Sequence, residues 1–591
     1  MVQETKSSNR TLIIILAIGA LFAAFVVMGA VLLFVLGSGS DEGITADAAK
    51  LMPADTLIFF SMNPDLPAAE NFDVIRQAWG DVPGFAKVVD NWPAALFEET
   101  KDLDYAVDIE PWLGDELAVS ISGDLFAALG GSIDQTFAEI EDALSGDADL
   151  PMDAMPAIPQ FIIAIATTDT DESAKFLEKL RAESDTAMQE TDYEGVTIVY
   201  GEPESGSDVG VAYATVDGFI VVVGGGVETL QAVIDAKDGD SLADDETYKK
   251  VIEALPKGSV GFGYMNLGSF MDGLMGTLEE MSGAMNLAEL GALGALGPDQ
   301  LTAVQGGGFA FGFDPNGIRF DAVSVYDKDA LPEDLLTKVN PNEATRHAPA
   351  DTLAYLSGID LGGVLSGLLD MLGTMPDMGV EDLQESMDML EAQLGFEVDD
   401  LFTALSGEFS LALTQDAAGI MGDPSLPLGL LVQFENKDEA TFKQLMSLVG
   451  MLTMGIDIEL DTTTISDVSV TTVNGPTGEP MIGWGLSDDF FALGTSHGLL
   501  ETTFGGGDVL ADDANFKAAI APLPSKNTGY FYLNVAGAMD IAYQMASAFE
   551  QEGMEEARSF LGPIKAISGA SESVSREKGS ASATFFILLG D

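Results

Sequence analysis

The chain has 591 residues, of which 47% are hydrophobic, and its 96 Asp plus Glu residues against 25 Lys plus Arg give a formal net charge of -71. Such a charge repels phosphate backbones, so the composition argues against nucleic-acid binding. Cysteine is absent, which excludes disulfides, thiolate metal sites, thiol nucleophiles and lipid attachment through cysteine.

The first element is a long apolar segment, "TLIIILAIGALFAAFVVMGAVLLFVLG" at residues 11–37, which carries no charged side chain. It is long enough to cross a hydrocarbon core of about 30 Å, and longer than the apolar region of a cleaved signal peptide. Lys6 and Arg10 precede it, whereas Asp41 and Glu42 follow it. The positive-inside rule therefore predicts a single-pass transmembrane helix whose N-terminus is cytoplasmic.

This topology divides the chain into a cytoplasmic tail at residues 1–10, the transmembrane helix, a linker at residues 38–50 and an extracytoplasmic remainder. The expected location is the cell membrane, with the bulk of the chain outside. Small residues four apart within the helix, such as Gly19 and Ala23, let two helices approach closely. Such pairs are also common in membrane helices that stay apart, so they are only a weak basis for self-association.

The extracytoplasmic part repeats itself. Four pairs of segments carry the repeat in the same order: "PADTLIFFSMN" from Pro53 and "PADTLAYLSGID" from Pro349, "LGDELAVSIS" from Leu113 and "LSGEFSLALT" from Leu405, "FIIAIATTDTDESAKFLEKL" from Phe161 and "LGLLVQFENKDEATFKQLMSL" from Leu428, and "LADDETYKKVIEALP" from Leu242 and "LADDANFKAAIAPLP" from Leu510. We interpret this order as a tandem duplication, with module 1 at residues 51–346 and module 2 at residues 347–591.

Each repeat begins with a proline, an extended apolar run, and an Asn or Asp that leads into a helical pattern. Proline fits the first residue of a strand, and Asn or Asp can cap the following helix. Asn316-Gly317 and Asp217-Gly218 each separate two apolar runs, which predicts hairpins. The fold class expected is α+β, with strand-helix-hairpin-helix units on largely antiparallel sheets.

The apolar anchor followed by "LMPADTLIFFSMN", the "SLADDETYKKVIEALP" block and the duplicated layout resemble the bacterial proteins grouped as domain of unknown function 3352. The resemblance covers most of the extracytoplasmic part. It implies a membrane-anchored, extracytoplasmic protein without an established activity, and it supplies no catalytic residues.

Candidate sites for catalysis and metal binding are few. The two histidines, His347 and His497, lack the companion ligands of a zinc motif and the G-x-S-x-G stretch of a serine hydrolase, which favours surface or turn positions. Gly224 to Gly226 could cradle a phosphate, but the lysine of a phosphate loop and the G-x-G-x-x-G spacing are absent. A tight turn from strand to helix is the alternative, and no cofactor is predicted.

Paired aspartates recur in "ADD" at residues 243–245 and at residues 511–513. Two adjacent carboxylates could hold a hard cation through oxygen ligands. Each pair also precedes a helical pattern, where aspartate caps the helix and complements its dipole. We favour capping and predict no metal site.

Methionine-rich segments are the remaining candidate for ligand binding. The residues of the first segment are Met271, Met275, Met281 and Met285, and a second such segment follows in module 2. Methionine fills cores, but it also adapts to varied apolar ligands. Both interpretations stay open, and the ligand groove is a hypothesis.

Three functions compete. The sequence favours a non-enzymatic, membrane-anchored scaffold or interaction module of the cell envelope, because it repeats without a catalytic signature. The first alternative is a carrier or sensor of an apolar, lipid-like ligand bound by the methionine-rich helices. The second is a hydrolase that uses paired carboxylates. The expected partners are the membrane and either an envelope protein or an apolar ligand.

Overall fold

The structure is a computed structural model, and it describes residues 46–65, 69–80, 82, 105–122, 161–183, 188–201, 211–270, 303–330, 336–374, 391–392, 395–420, 425–453, 459–474, 480–546, 558 and 561–590. The predicted transmembrane helix at residues 11–37 lies outside these residues. Among the helices that the structure does describe, none combines the length and the apolar character needed to cross a membrane.

The chain divides into two compact units. The first comprises Met1–Arg76, Pro83–Phe313 and Asp321–Ala330, and the second comprises Gln77–Val82, Asp314–Phe320 and Leu331–Asp591. The module boundary between residues 346 and 347 stays a prediction. The residues just before it, Glu343–Arg346, form a short 3-10 helix that belongs to the second compact unit.

Among the described residues, ten strands, β1 to β10, lie before residue 331, in the part called the first half. In chain order they are Thr56–Met62, Leu113–Ser122, Phe161–Thr167, Met188–Tyr193, Val196–Gly201, Val211–Val216, Phe219–Gly224, Gly261–Met265, Val304–Asp314 and Gly317–Tyr326. They pair in the order β10-β9-β8-β1-β2-β3-β7-β6-β5-β4. The pairs β1–β8 and β3–β7 join strands that are far apart in the chain, and both pairs are antiparallel.

The second half contains strands β11 to β20. In chain order they are Thr352–Ile359, Glu408–Gln415, Leu428–Glu435, Glu459–Ile465, Val468–Asn474, Pro480–Leu486, Phe490–Gly494, Asn527–Asn534, Ile564–Glu572 and Ser580–Leu589. Their antiparallel pairing order is β20-β19-β18-β11-β12-β13-β17-β16-β15-β14. This order is the same as in the first half when each strand number is raised by ten. The expected mixture of α and β structure on largely antiparallel sheet is confirmed.

The helices are numbered α1 to α10 among the described residues: Asp73–Trp79, Thr170–Glu183, Val227–Asp238, Glu246–Ala254, Leu361–Thr374, Val398–Ala404, Glu439–Thr453, His497–Gly505, Ala514–Ile520 and Val535–Ala546. Short 3-10 helices precede the first strand of each half, at Asp47–Lys50 and Glu343–Arg346. Two more, Leu242–Asp244 and Leu510–Asp512, precede α4 and α9.

The predicted hairpins are present. Asp217 and Gly218 link β6 to β7 with φ values of 52° and 86°, the left-handed conformation that a two-residue hairpin turn requires. Between β9 and β10 the turn residues are Pro315 and Asn316, and Gly317 is already the first residue of β10. Turn chemistry therefore located both hairpins, with a shift of one residue in the second.

The prolines of "PADT" lie before the strands and not at their first residue. Pro53 forms an isolated bridge with Ser241, and Pro349 forms the same bridge with Val509. The carbonyl oxygen of Pro349 accepts a 2.6 Å hydrogen bond from the Thr352 hydroxyl, which closes the turn into β11. The repeated motif is a turn that precedes the strand, because its threonine satisfies the proline carbonyl.

Each half packs one helix on its sheet through an aromatic cluster. In the first, Tyr248 of α4 meets Phe59 and Tyr264 edge-on, at ring distances of 6.0 and 5.2 Å. In the second, Phe516 of α9 meets Tyr355 and Tyr532 edge-on, at 6.3 and 5.0 Å. These residues are the matched centres of the two hydrophobic cores.

Asp245 and Asp513 cap α4 and α9, as the sequence predicted. Their carboxylates accept hydrogen bonds from the backbone N–H groups of Tyr248 and Phe516, each at 2.7 Å. Because an unpaired N–H at a helix end is costly, each aspartate stabilises its helix and the aromatic residue that the helix presents.

We expect Asp513→Ala to destabilise the chain by about 1 kcal/mol, measured by urea unfolding, because Phe516 loses its N–H partner. Asp512→Ala is the matched control, since that side chain is exposed and only pairs with Lys517 at 3.1 Å. The control should change stability by less than about 0.5 kcal/mol. Equal effects of the two substitutions would contradict the capping role.

Candidate functional site

Two buried glutamates occupy equivalent positions in the two units. Glu116 of β2 accepts hydrogen bonds from the backbone N–H groups of Asp47, at 2.9 Å, and Ala48, at 3.2 Å. It also accepts a 2.9 Å bond from the Ser61 hydroxyl. Glu116 therefore holds the start of the Asp47–Lys50 helix against the sheet.

Glu408 of β12 does the same in the second unit. It accepts from the backbone N–H groups of Glu343, at 2.9 Å, and Ala344, at 3.0 Å, and so fixes the Glu343–Arg346 helix. Here each carboxylate oxygen accepts one of the two N–H groups. The sequence signal for this pair is the repeat itself, since Glu116 and Glu408 align in the quoted segments and "DAAK" aligns with "EATR".

Burial raises the pKa of Glu116 and of Glu408 to about 7. For Glu116 the hydrogen bonds from Ser61 and from the Ala48 and Asp47 backbones oppose this rise. For Glu408 the opposing bonds come from Ala344 and Glu343. A raised carboxyl pKa often marks a catalytic acid, but both side chains are committed to backbone groups, which favours a structural role.

A buried polar cluster, formed by Tyr355, Ser357, Ser410 and Gln433, lies on the core face of the second sheet. Strand pairing places Ser357 opposite Ser410, and Ser410 opposite Gln433. The Ser410 hydroxyl donates to Gln433 Oε1 at 2.7 Å. Burial, and then the charge of Glu408, raise the pKa of Tyr355 well above its usual range.

The opposite face of the same strands presents an apolar row. It consists of Leu411, Leu356, Phe531 and Phe585, which are 40%, 47%, 40% and 50% exposed. Leu411 lies opposite Leu356, and Leu356 lies opposite Phe531. Gly569 continues the row between Phe531 and Phe585. The four exposed side chains therefore lie on four of five neighbouring strands, and Gly569 occupies the row on the fifth.

Helix α7 covers the same face of the sheet beyond the Leu411 end of the row. Its Phe442 is buried and stacks on Phe491 of β17 and Phe434 of β13, at ring distances of 5.1 and 6.4 Å. The apolar row thus keeps large side chains in solvent, whereas Phe434 and Phe491 on the neighbouring strands are partly covered by a helix.

The histidines lie apart from these features. His347 packs against Phe490 at a ring distance of 4.9 Å, and its Nδ1 lies 3.2 Å from the Thr503 carbonyl oxygen. His497 is the first residue of α8, and its Nε2 lies 3.5 Å from Glu501. Within the part of the chain that the structure describes, no group of three or more His, Asp or Glu residues could hold a metal ion.

Gly224 to Gly226 form the turn from β7 into α3. Gly225 and Gly226 have φ values of 106° and 77°, which explains why glycine is required, and Gly226 lies at the N-terminus of the helix. In the second unit the Ser496 hydroxyl caps the equivalent helix at Leu499. Both segments are strand-to-helix turns.

The proposed ligand groove falls on residues that the structure does not describe. Met271, Met275, Met281 and Met285 all lie in the undescribed segment after residue 270. The groove hypothesis therefore stays a prediction.

The hydrolase hypothesis also stays a prediction. The Glu408 backbone N–H donates to the carboxylate of Glu435, which also pairs with Lys437 at 2.7 Å, so these neighbouring carboxylates already have partners.

Comparison with known proteins finds little beyond the family. No curated protein matches the chain. Solved structures of a protein called TP0453 are similar in crystal forms III, IV and I, with identities of 10%, 9% and 9% and a TM-score of 0.22 in each case. They cover 48% of this chain and 80%, 81% and 80% of TP0453. At this TM-score the likeness carries no argument.

The family model described as protein of unknown function (DUF3352) matches residues 14–589, and the chain belongs to this family, as its sequence motifs predicted.

Proposed function

We propose that the protein is a non-enzymatic, membrane-anchored interaction module of the cell envelope. Its anchor is the apolar helix at residues 11–37, and its extracytoplasmic part is a tandem duplication of one sheet unit. The observation that carries the proposal is the apolar row, in which Leu411, Leu356, Phe531 and Phe585 stay exposed side by side.

The row supports binding because water penalises contiguous apolar surface. A single exposed leucine needs no explanation, but neighbouring exposed apolar side chains mark contact surfaces. The other face of the same strands is covered, since Tyr355, Ala412 and Leu431 are buried there. We infer that a partner covers the row when the protein acts.

The chemistry of the row also limits the partner. Its neighbours on the same face of β12 and β13 are uncharged: Phe409, Leu413, Leu430 and Val432. The chain as a whole has a net charge of -71, so an uncharged stretch on several neighbouring strands stands out from its composition. A partner would therefore bring an apolar, uncharged surface to this face.

The test is photo-crosslinking in cells that express the full chain. A photoreactive amino acid replaces Phe531 or Leu356 in two variants, and the exposed Thr464 of β14 in a control. We expect discrete protein adducts from positions 531 and 356 and none from position 464. Absence of adducts at the row, or the same adducts at all three positions, would refute the interaction surface.

The second candidate function is a carrier of an apolar, lipid-like ligand. The uncharged character of the row and of its neighbours favours this alternative, because acyl chains need apolar contact and no charge. The same crosslinking experiment separates the two functions. Lipid adducts at positions 531 and 356, identified by mass spectrometry without protein adducts, would favour the carrier function over the interaction module.

A further inference from the structure

The segment that precedes β1 is tied to the rest of the first unit by side chains. Residues 46–52 form no strand, and they contain the Asp47–Lys50 helix, the last four residues of the predicted linker. The Met52 sulfur accepts a 3.0 Å hydrogen bond from the Ser120 hydroxyl. A second tie is the Glu116 carboxyl group, which accepts hydrogen bonds from the start of the helix.

We propose that Glu116 and residues 46–52 form a proton-controlled clasp, which opens more often when the carboxyl group is ionised than when it is neutral. Glu116 is 7% exposed, and its carboxyl group accepts from two N–H groups of the helix and from the Ser61 hydroxyl. A buried ion is costly unless an opposite charge pairs with it. Opening the clasp returns the carboxyl group to water, so ionisation favours the open form.

The titratable groups around Glu116 do not supply this opposite charge. They are Asp47 and Lys50 of the helix and Tyr248 of α4. Lys50 Nζ lies 2.6 Å from Asp47 Oδ1, and both side chains are exposed, so this pair lies in solvent beside the clasp. The charge of Asp47 adds to the rise in the pKa of Glu116. Burial, and then the charge of Glu116, raise the pKa of Tyr248 well above its usual range, so this hydroxyl stays neutral.

Ionisation and opening are linked through the pKa of Glu116. Burial raises this pKa to about 7, against the ordinary value of 4.5 that a hydrated carboxyl group regains in the open clasp. The stabilisation of the closed clasp by the proton is fully present below about pH 4.5 and is lost as the pH rises through about 7. From these two values, the ratio of open to closed clasp should rise about 70-fold between pH 5 and pH 8.

The closed clasp stays the major form throughout this pH range. Opening exposes four side chains that are at most 2% exposed in the closed form, namely Ala48, Ala49, Leu51 and Met52. Returning this apolar surface to water is unfavourable whatever the protonation state of Glu116. The proton therefore changes how often the clasp opens, and does not decide whether the unit folds.

The function of the clasp rests on the proposed membrane anchor. When it is closed, the clasp holds the end of the predicted linker against the sheet. When it opens, residues 46–52 join the linker, and seven extended residues span about 24 Å. The clasp therefore regulates how far the folded part of the chain reaches from the membrane, and its reach increases at alkaline pH.

The test is hydrogen exchange, followed by mass spectrometry, of the full chain in nanodiscs of uncharged lipid between pH 5 and pH 8. Exchange rates are first corrected for the pH dependence of exchange in free amides. We expect the corrected exchange of residues 46–52 to rise about 70-fold in the wild type, and not in Glu116→Gln, whose side chain does not ionise. Glu408→Gln is the matched control, since it removes the equivalent carboxyl group from the second unit and should keep the rise.

The following results would overturn the proposal. Corrected exchange of residues 46–52 that stays constant with pH in the wild type would do so, and this measurement needs no variant. A full rise in Glu116→Gln, or its loss in Glu408→Gln, would assign the effect to another group. An equal rise in α3, in which no carboxyl group is buried, would mean that the whole unit opens. Exchange in the clasp does not depend on the apolar row, so its failure and that of the crosslinking experiment are distinguishable.

Discussion

Replacing Phe516 with alanine should destabilise the chain by about 3 to 5 kcal/mol, the usual cost of removing a buried aromatic ring. Phe516 is 1% exposed and touches three tyrosine rings, those of Tyr355, Tyr530 and Tyr532. The substitution leaves a cavity against these rings, which adds to the loss of apolar burial. Urea unfolding followed by tryptophan fluorescence measures the loss, since Trp484 lies in the same unit.

Phe585→Ala is the matched control for this substitution. It removes the same side chain from the apolar row, where half of the ring is already in water. We expect a clearly smaller loss of stability, because less apolar surface returns to solvent. Similar losses for the two variants would mean that the aromatic cluster under α9 is not a centre of the core.

Replacing Glu116 with glutamine should remove part of the pH dependence of stability. The folded-state pKa of Glu116 is about 7, against an ordinary value of 4.5. The folded chain therefore binds this proton more tightly than the unfolded chain. The stabilising contribution is fully present below about pH 4.5 and is lost as the pH rises through about 7.

Glutamine copies the protonated glutamate in shape and in hydrogen bonding. Its amide can donate to the Ser61 hydroxyl oxygen, while its carbonyl accepts from Asp47 and Ala48. We expect the variant to match the wild type near pH 4 and to exceed it by up to about 3 kcal/mol near pH 8, from about 1.4 kcal/mol for each unit of pKa shift. Urea unfolding across this pH range measures the difference.

Glu110→Gln, at an exposed position, is the control for the loss of one negative charge. We expect its gain in stability near pH 8 to be clearly smaller than that of Glu116→Gln, because its side chain is exposed. If the Glu116→Gln and wild-type stabilities change in parallel with pH, the buried carboxyl does not titrate as described. Glu408→Gln should gain less, because each oxygen of Glu408 accepts a different backbone N–H and an amide loses one of them.

Local chemistry allowed much of this fold to be predicted from the sequence. The caps at Asp245 and Asp513 accept N–H groups three residues away, and Thr352 bonds to Pro349 within one turn. The hairpin at Asp217-Gly218 depends on the conformation of two adjacent residues. A short motif contains every partner in such features, so its repetition in the chain predicted the same structure twice.

Only the tertiary structure decided the functions of the glutamates and the location of the exposed surface. Glu116 bonds to a helix 68 and 69 residues earlier in the chain, so no local pattern shows that it is buried. Strand β12 reads "EFSLALTQ", in which the large apolar residues share one face, whereas the buried face carries Glu408, Ser410, Ala412 and Thr414. Alternation separates the two faces of a strand, but it does not say which face a helix covers. That depends on where distant helices pack, and this packing buries Tyr355 and Phe442 while it leaves Leu356 and Leu411 in solvent.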